Sequence, residues 1–442
     1  MVCLQAPKQP SSRRRAKLAD LPGPPSHHRN RVDRFFANLG PGLITGCADD
    51  DPSGISTYSV AGAAFGYGTL WTALLSFPLM AAVQMMCGRL GVVTGRGLAA
   101  VIRLRYPRWV LWGACLLLTI ANVINIAADL GGMGAAMEMV TGITRLFWTF
   151  FFTALILSFL FWSSYRQIAR VFKGITLVLL AYVATGFLAH VDWRGAAVGT
   201  FFPRLTWSRD YLATLLGILG TTISPYLFFW QASQEVEQQR SEGHRAPQPR
   251  EATRREMRRL RLDITVGMFA SNFVMYFVIL TTAATLHAHG TTQIATARQA
   301  AEALRPLAGP AAYWLFTLGL VGTGMLGVPV LAGSSAYALS EAGAWKGSLE
   351  KKPRLARRFY GVLAAAMAAG LAIDYAGLDA VRMLFWSAVI NGALSPPLIL
   401  IIILLTNDPR VMGQQVNSLW LRILGWVTFA LMTVTTIGML CS

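Results

Sequence analysis

The sequence predicts an all-α polytopic membrane protein with about 11 transmembrane helices. Three observations carry this. Of the 442 residues, 54% are hydrophobic and 14% charged, whereas soluble proteins average about 25% charged. Apolar runs of about 20 residues recur along the whole chain, each long enough to cross a hydrocarbon core of roughly 30 Å. Lys and Arg are confined almost entirely to alternate loops, the asymmetry that orients membrane proteins.

Residues 1–36 are Pro-, Ser- and Arg-rich, with no apolar segment after Arg13-Arg14-Arg15. That excludes a signal peptide and reads as a disordered, basic cytoplasmic tail. Spans are predicted at 39–66, 70–92, 109–137, 146–163, 168–189, 210–236, 264–287, 311–340, 359–375, 379–405 and 419–440. With the N-terminus inside, 32 of the 39 Lys and Arg fall on the cytoplasmic side and six on the outer side, with Arg382 at the start of the tenth span. The expectation is a bacterial inner-membrane protein, N-terminus cytoplasmic and C-terminus outside. The net charge of +18 follows from this topology, so nucleic acid is not an expected partner. The lipid bilayer is, and Arg254-Arg255 with Arg258-Arg259-Leu260-Arg261 suits anionic headgroups. This cluster lies in a basic cytoplasmic loop, 238–262, whose second half from Glu251 to Leu262 reads as a helical extension. Trp71, Trp109, Trp112 and Trp207 read as interfacial anchors, and Met85 and Met86 as core.

Within the first span, Asp49-Asp50-Asp51 is followed by Pro52-Ser53-Gly54. A carboxylate at the bilayer centre costs about 3 kcal/mol on insertion scales and usually marks an ion or proton path. Proline and glycine break the helix there, and the freed carbonyls are tolerated only where they face protein or a wet cavity. The pattern is that of a cation site. The competing reading, a surface loop, leaves residues 39–68 too short and too polar to span.

The sixth span repeats the device. Leu216-Gly217-Ile218-Leu219-Gly220-Thr221-Thr222-Ile223-Ser224-Pro225-Tyr226 sets glycines, hydroxyls and a proline mid-span. Alone, it reads equally as a proline kink in a packing helix. Paired with the first break at an offset of five spans, it reads as the second of two discontinuous helices. An odd offset inverts the second unit, so residues 37–190 and 205–405 are predicted to be two inverted five-helix repeats with a midplane site between them. The eleventh helix, 418–442, lies outside the repeat.

Other chemistry is sparse. The five cysteines have no disulfide or metal-ligand spacing, and none of the six histidines lies mid-span. No phosphate loop, nucleophile elbow or zinc spacing occurs, so neither an enzyme nor a cofactor is expected.

The stretch Gly40-Pro41-Gly42-Leu43-Ile44-Thr45-Gly46, with Asp51-Pro52-Ser53-Gly54, resembles the first helix of the Nramp divalent-metal transporters. Ser224-Pro225-Tyr226 resembles part of their sixth. The likeness covers nearly the whole chain from Leu39. It implies a LeuT-like fold with broken helices 1 and 6, and secondary transport of divalent cations without ATP.

The departures bear on the ion. The family pattern in helix 1 is Asp-Pro-Gly-Asn, with Asp and Asn binding metal; Asp51 keeps the first, and Gly54 stands at the second. In helix 6 the pattern is Met-Pro-His; Ser224 replaces the thioether and Tyr226 the imidazole. The position three residues before the Met, which supplies a carbonyl, is Thr221. In helix 3 the family's proton route has an Asp and, three residues on, a Glu. Asp129 matches the first, Gly132 stands at the second, and Asn122 replaces an acid seven residues earlier. Thioethers select soft or borderline metals, while carboxylate, carbonyl, hydroxyl and water suit Mg²⁺, Ca²⁺ and Mn²⁺. The loss of Met, with a pocket enlarged at Gly54 and Ser224, suits a partly hydrated ion. The chain thus looks closest to the Nramp-related magnesium transporters, carrying Mg²⁺ or Mn²⁺ with weak or no proton coupling.

The expected metal ligands are Asp51, Thr221 through its carbonyl and Ser224 through its hydroxyl. Asp50, Gly54, Tyr226, Gln231 and Asn391 are candidate lining. Asn391 reads either as an amide ligand or as an interhelical hydrogen bond, and Gln231 as part of the inner exit. Asp129 is a candidate for a residual proton path or an interior hydrogen bond. Asp49 reads as structural or vestibular, and Glu235 and Glu237 as solvated. The alternative functions are a proton-coupled Mn²⁺/Fe²⁺ importer and, more remotely, an amino-acid or amine symporter. The substrate ion is the expected partner; no protein partner is indicated. Ser224→Met is expected to raise Cd²⁺ binding relative to Mg²⁺ several-fold, because a thioether favours the softer ion; an unchanged competition ratio would show that residue 224 does not face the ion.

Overall fold

The computed structural model describes residues 40–162, 177–203, 205–241 and 252–441. The predicted tail 1–36, the link between the fourth and fifth spans with the first turns of the fifth, and loop residues 242–251 lie outside them. The interrupted first span forms α1 (Pro41–Asp49) and α2 (Pro52–Phe65). Then come α3 (Trp71–Thr94), a short α4 (Leu98–Arg105), α5 (Arg108–Thr141) and α6 (Arg145–Trp162). α7 (Leu180–Leu188) and α8 (Trp193–Phe201) precede the divided sixth span, α9 (Arg209–Thr222) and α10 (Pro225–Ser241). α11 (Arg254–Thr285), the short α12 (Ala297–Glu302) and α13 (Arg305–Ala308), and α14 (Ala312–Ala342) follow. The chain closes with α15 (Arg357–Asp374), α16 (Ala380–Asn407), α17 (Pro409–Met412) and α18 (Leu419–Cys441).

The all-helical expectation holds: no strand occurs among the described residues. Among the described residues, eight helical stretches are long and apolar enough to cross a membrane. The other three predicted spans are helical too. The first is divided into two short halves, and the apolar stretch Leu177–Leu188 is the described part of the fifth. The ninth, α15, has 18 residues but carries Arg357, Arg358 and Asp374.

Both breaks have the same local cause. Pro52 and Pro225 lack an N–H and push the preceding residue out of the helical region. Asp51 accordingly takes an extended conformation (ψ 172°) as the N-cap of α2. Ile223 and Ser224 separate α9 from α10.

α1 is held by backbone contact and by one carboxylate. A Cβ at Gly46 or Gly267 would fall on the backbone of the other helix, so α1 and α11 cross with almost nothing between them. The first amides of α1 have no cap from their own segment. Asp263 of α11 supplies it, accepting from the N–H groups of Gly40 (2.8 Å), Gly42 (2.7 Å) and Leu43 (3.1 Å). A second inter-helix cap joins α4 to α14: Glu341 accepts from Ala100 N–H (3.2 Å) and from the Ser233 hydroxyl of α10 (2.9 Å).

Two expectations are corrected. Glu235 and Glu237 are buried, at 7% and 6% exposed. The end of α10 is covered: Glu235 accepts from Gln231 (2.9 Å) and Glu237 sits against Tyr337 and Ser348. Trp71 is buried rather than interfacial, its indole N–H facing the Tyr211 hydroxyl at 3.4 Å. Trp109 and Trp207 are exposed, as their belt position requires, and Met85 and Met86 are buried.

Asp263→Ala leaves three amides uncapped, that of Gly42 buried and those of Gly40 and Leu43 partly so, a loss of about 1–3 kcal/mol for the buried group and less for the others. The expected result is a lower melting temperature in detergent, partly recovered in Asp263→Asn. An unchanged melting temperature would show that the cap contributes nothing.

Candidate metal site

The site lies where the two breaks meet. Asp51 is 2% exposed and its carboxylate is fully engaged. Oδ1 accepts from Gly54 N–H (2.9 Å) and the Ser53 hydroxyl (2.6 Å), the pattern of a helix N-cap. Oδ2 accepts from Asn125 Nδ2 of α5 (3.1 Å) and from the Tyr226 hydroxyl of α10 (3.3 Å). The same Tyr226 hydroxyl also reaches the carbonyl of Ala48 at 3.0 Å. Ala48 lies in the last turn of α1, where carbonyls lose their intrahelical partners. A second tie joins the outer halves: the Thr221 hydroxyl of α9 bonds the Tyr58 hydroxyl of α2 at 3.0 Å.

The remaining acids differ in setting. Asp51 sits at the N-terminus of α2, where the helix dipole favours an anion. Asp49 and Asp50 sit at the C-terminal end of α1, where it does not. Both are buried, and both face the Ser271 hydroxyl of α11, at 2.6 and 3.1 Å. One hydroxyl carries one proton, so the two carboxylates share a single donor there. Asp49 Oδ1 has no hydrogen-bond partner. Asp129 of α5 is fully buried close to Asp51 and faces the Ser53 amide, and neither of its oxygens makes a hydrogen bond of normal geometry. Asn125 Oδ1 is also unpartnered. Buried polar oxygens without partners are costly, and their concentration around a carboxylate fits a cation.

The lining candidates separate into groups. Gly54 is buried, and a Cβ there would meet the Asp49 carbonyl at 3.2 Å and the Tyr58 ring at 3.4 Å. The expected enlargement at Gly54 is therefore not open space: the Tyr58 ring and the Asp49 carbonyl border it. Ser224 turns its hydroxyl back onto the carbonyls of Gly220 (2.5 Å) and Thr221 (2.7 Å), so the Thr221 carbonyl already has a donor. Asn391 of α16 is buried with both amide atoms unpartnered, so the structure contains no interhelical hydrogen bond from it. Its helix packs on the second break, where Ser395 donates to the Ile223 carbonyl (2.8 Å). Gln231 lies deeper along α10, accepting from Thr45 of α1 (2.6 Å) and donating to Glu235. Among the described residues, no three His, Cys, Asp or Glu side chains converge as a ready-made metal cluster. An ion at Asp51 would therefore be held by one carboxylate together with neutral oxygens.

Sequence reasoning missed Ala48, Tyr58, Asn125 and Ser271. A carbonyl carries no residue signature, and Tyr58 and Ser271 are ordinary in a membrane helix. Asn125 did leave a signal: Asn122, Asn125 and Asp129 recur at helical spacing on one face of α5.

The family described as Nramp, natural resistance-associated macrophage protein-like, matches residues 42–442. The divalent metal cation transporter MntH of Klebsiella pneumoniae (strain 342) is 28% identical over 403 residues, which is 90% of this chain and 92% of that protein. The protein of the same name from Brucella suis biovar 1 (strain 1330) is 26% identical over 419 residues, 93% and 89% of the two chains. Among solved structures, the Eremococcus coleocola manganese transporter in complex with an aromatic bis-isothiourea substituted compound superposes with a TM-score of 0.73 at 19% identity, over 95% of this chain and 88% of that one. Mhp1, a nucleobase-cation-symport-1 family transporter in a closed conformation, gives 0.58 at 13% identity, over 91% and 92%. These two likenesses speak to fold alone, and the fold is the LeuT-like one that the family resemblance implies.

Asp51→Ala is expected to abolish divalent-cation binding to the purified protein, measured by isothermal titration calorimetry with MnCl₂ and with MgCl₂. Binding that survives unchanged would remove Asp51 from the site.

Proposed function

The chain belongs to the Nramp-like family, and on that premise we propose that it is a secondary transporter of hard divalent cations, working by alternating access and not an enzyme. The observation that carries this is the meeting of Asp51, the Ala48 carbonyl and the Tyr226 hydroxyl at the junction of two broken helices. Discontinuous helices at mid-membrane present backbone and side-chain oxygens to an ion between two repeats that can rock about it. The donors that meet Asp51 at that junction are amides and hydroxyls, and the Tyr226 hydroxyl bridges it to the Ala48 carbonyl.

Oxygen ligands suit Mn²⁺ and Mg²⁺ alike. The relatives' names favour Mn²⁺, and Mn²⁺ import of the Nramp type is the simpler assignment. Mg²⁺ is supported by Ser224, which stands where the family carries a soft ligand. In this reading Asp51 is the anionic ligand. The Thr221 carbonyl and Ser224 hydroxyl contribute from the second break, and Asn391 supplies an amide oxygen. Asp50 adds negative potential, and Gln231 lies on the way to the cytoplasm. Proton coupling is weak, because Asp129 is the one acid on the buried face of α5, with Gly132 and Asn122 unable to titrate. The basic loops place the N-terminus in the cytoplasm.

In proteoliposomes, uptake should be competed by Mg²⁺ and Mn²⁺ more strongly than by Cd²⁺. Preferential inhibition by Cd²⁺ would point to a soft ligand that this reading omits. An imposed pH gradient should change the rate by less than about twofold, since carrying a proton requires groups that titrate near neutrality. Stoichiometric proton movement with the metal would return the protein to the proton-coupled branch.

A further inference from the structure

We propose that the Tyr226 hydroxyl is a direct ligand of the transported ion, completing an oxygen triangle with the Ala48 carbonyl and Asp51 Oδ2. This rests on the reading of Asp51 as the metal-binding carboxylate.

Three features of the geometry lead there. First, the phenol oxygen stands 3.0 Å from Ala48 O and 3.3 Å from Asp51 Oδ2. In an octahedral shell with bonds of 2.0–2.1 Å, neighbouring oxygens are about 3 Å apart. The two separations are thus already those of adjacent ligands around one small cation. For an ion to bind there, the O–H must turn away from both acceptors and present its lone pairs. Second, one phenol proton serves two acceptors. One of the two contacts is always under-satisfied, and a cation satisfies both together. Third, the other donors to Asp51 are not exchangeable at the same cost. Gly54 N–H and Ser53 form the cap of α2, and releasing them uncaps a helix inside the membrane. Tyr226 is the donor with the longest bond to the carboxylate.

The tyrosine is built into place. It is 1% exposed and occupies the first turn of α10, directly after Pro225. Its position in the chain is fixed by the second break, and its oxygen reaches the first. The residue thereby supplies the contact across the two repeats that a midplane ion site requires. As a hard, neutral oxygen it favours Mg²⁺ and Mn²⁺ over Cd²⁺.

Tyr226→Phe keeps the ring and removes the oxygen. In proteoliposomes the KM for Mg²⁺ and Mn²⁺ should rise about tenfold, the value for losing one charge-assisted contact of about 1.4 kcal/mol. Inhibition by Cd²⁺ should weaken much less, while the melting temperature should fall because the Ala48 carbonyl loses its donor. A purely structural tyrosine would lower the melting temperature as well but shift all ions alike, so the hard-to-soft ratio is the readout. An unchanged or lower KM, or equal shifts for hard and soft ions, would overturn the proposal. Tyr226→Met provides a second test: it should raise Cd²⁺ inhibition relative to Mg²⁺, and an unaltered ratio counts against the ligand. The underlying site reading fails separately. If Asp51→Ala leaves binding intact, both are lost; if Asp51→Ala abolishes binding and Tyr226→Phe does nothing, only the triangle is lost.

Discussion

The constraint that organises this molecule is the need to satisfy, without water, the backbone released by two helix breaks. Each proline that divides a span strips partners from the carbonyls before it and the amides after it. In hydrocarbon those groups must be met by protein or by a guest. Asp51 answers for the amides of α2, Tyr226 for the carbonyl of Ala48, and Ser224 and Ser395 for the carbonyls at the end of α9. Asp51, Tyr226 and Ser224, which repair the breaks, are also the groups that the proposed site assigns to the ion. In that reading structural repair and ion recognition are not separable.

The other buried acids show what the same residue type does away from that junction. Asp263 and Glu341 each accept from backbone amides at the start of a helix in a different part of the chain. They staple distant segments by capping, so a carboxylate within this membrane domain is not by itself a mark of transport. Completeness alone does not separate the two roles, since Asp51 caps α2 and is fully engaged as well. What sets the junction apart is its neighbours: Asp49 Oδ1 and both Asp129 oxygens are buried there without a hydrogen bond of normal geometry.

The fold was legible because hydropathy, basic loops and Pro–Gly breaks each report on a bulk property of the bilayer. Such signals need no partner residue to be interpreted. The site was legible only in part. Asp51 stood out as a charge where charge is expensive. Ala48 acts through its carbonyl, Asn125 acts from a helix read for its acids, and Ser271 comes from the seventh span; each needs the tertiary crossing to be seen. The reading of Glu235 and Glu237 failed for a related reason. Their sequence position suggests a frayed helix end, but the end of α14 and the segment after it fold over α10. The enlarged pocket inferred from Gly54 failed because deleting one side chain says nothing about which neighbour fills the gap, and here the Tyr58 ring does.

The crossing of α1 on α11 sets the placement of the first half of the first span. Gly42 and Gly46 bring α1 directly onto the main chain of α11, so few interlocking side chains stand between them. A joint of that kind leaves no room for a side chain at the crossing, so the nine-residue rod has its azimuth set by main chain rather than by adjustable side chains. The Asp263 bonds to Gly40, Gly42 and Leu43 fix its other end. Its Ala48 carbonyl is thereby aimed at Tyr226 by the backbone itself.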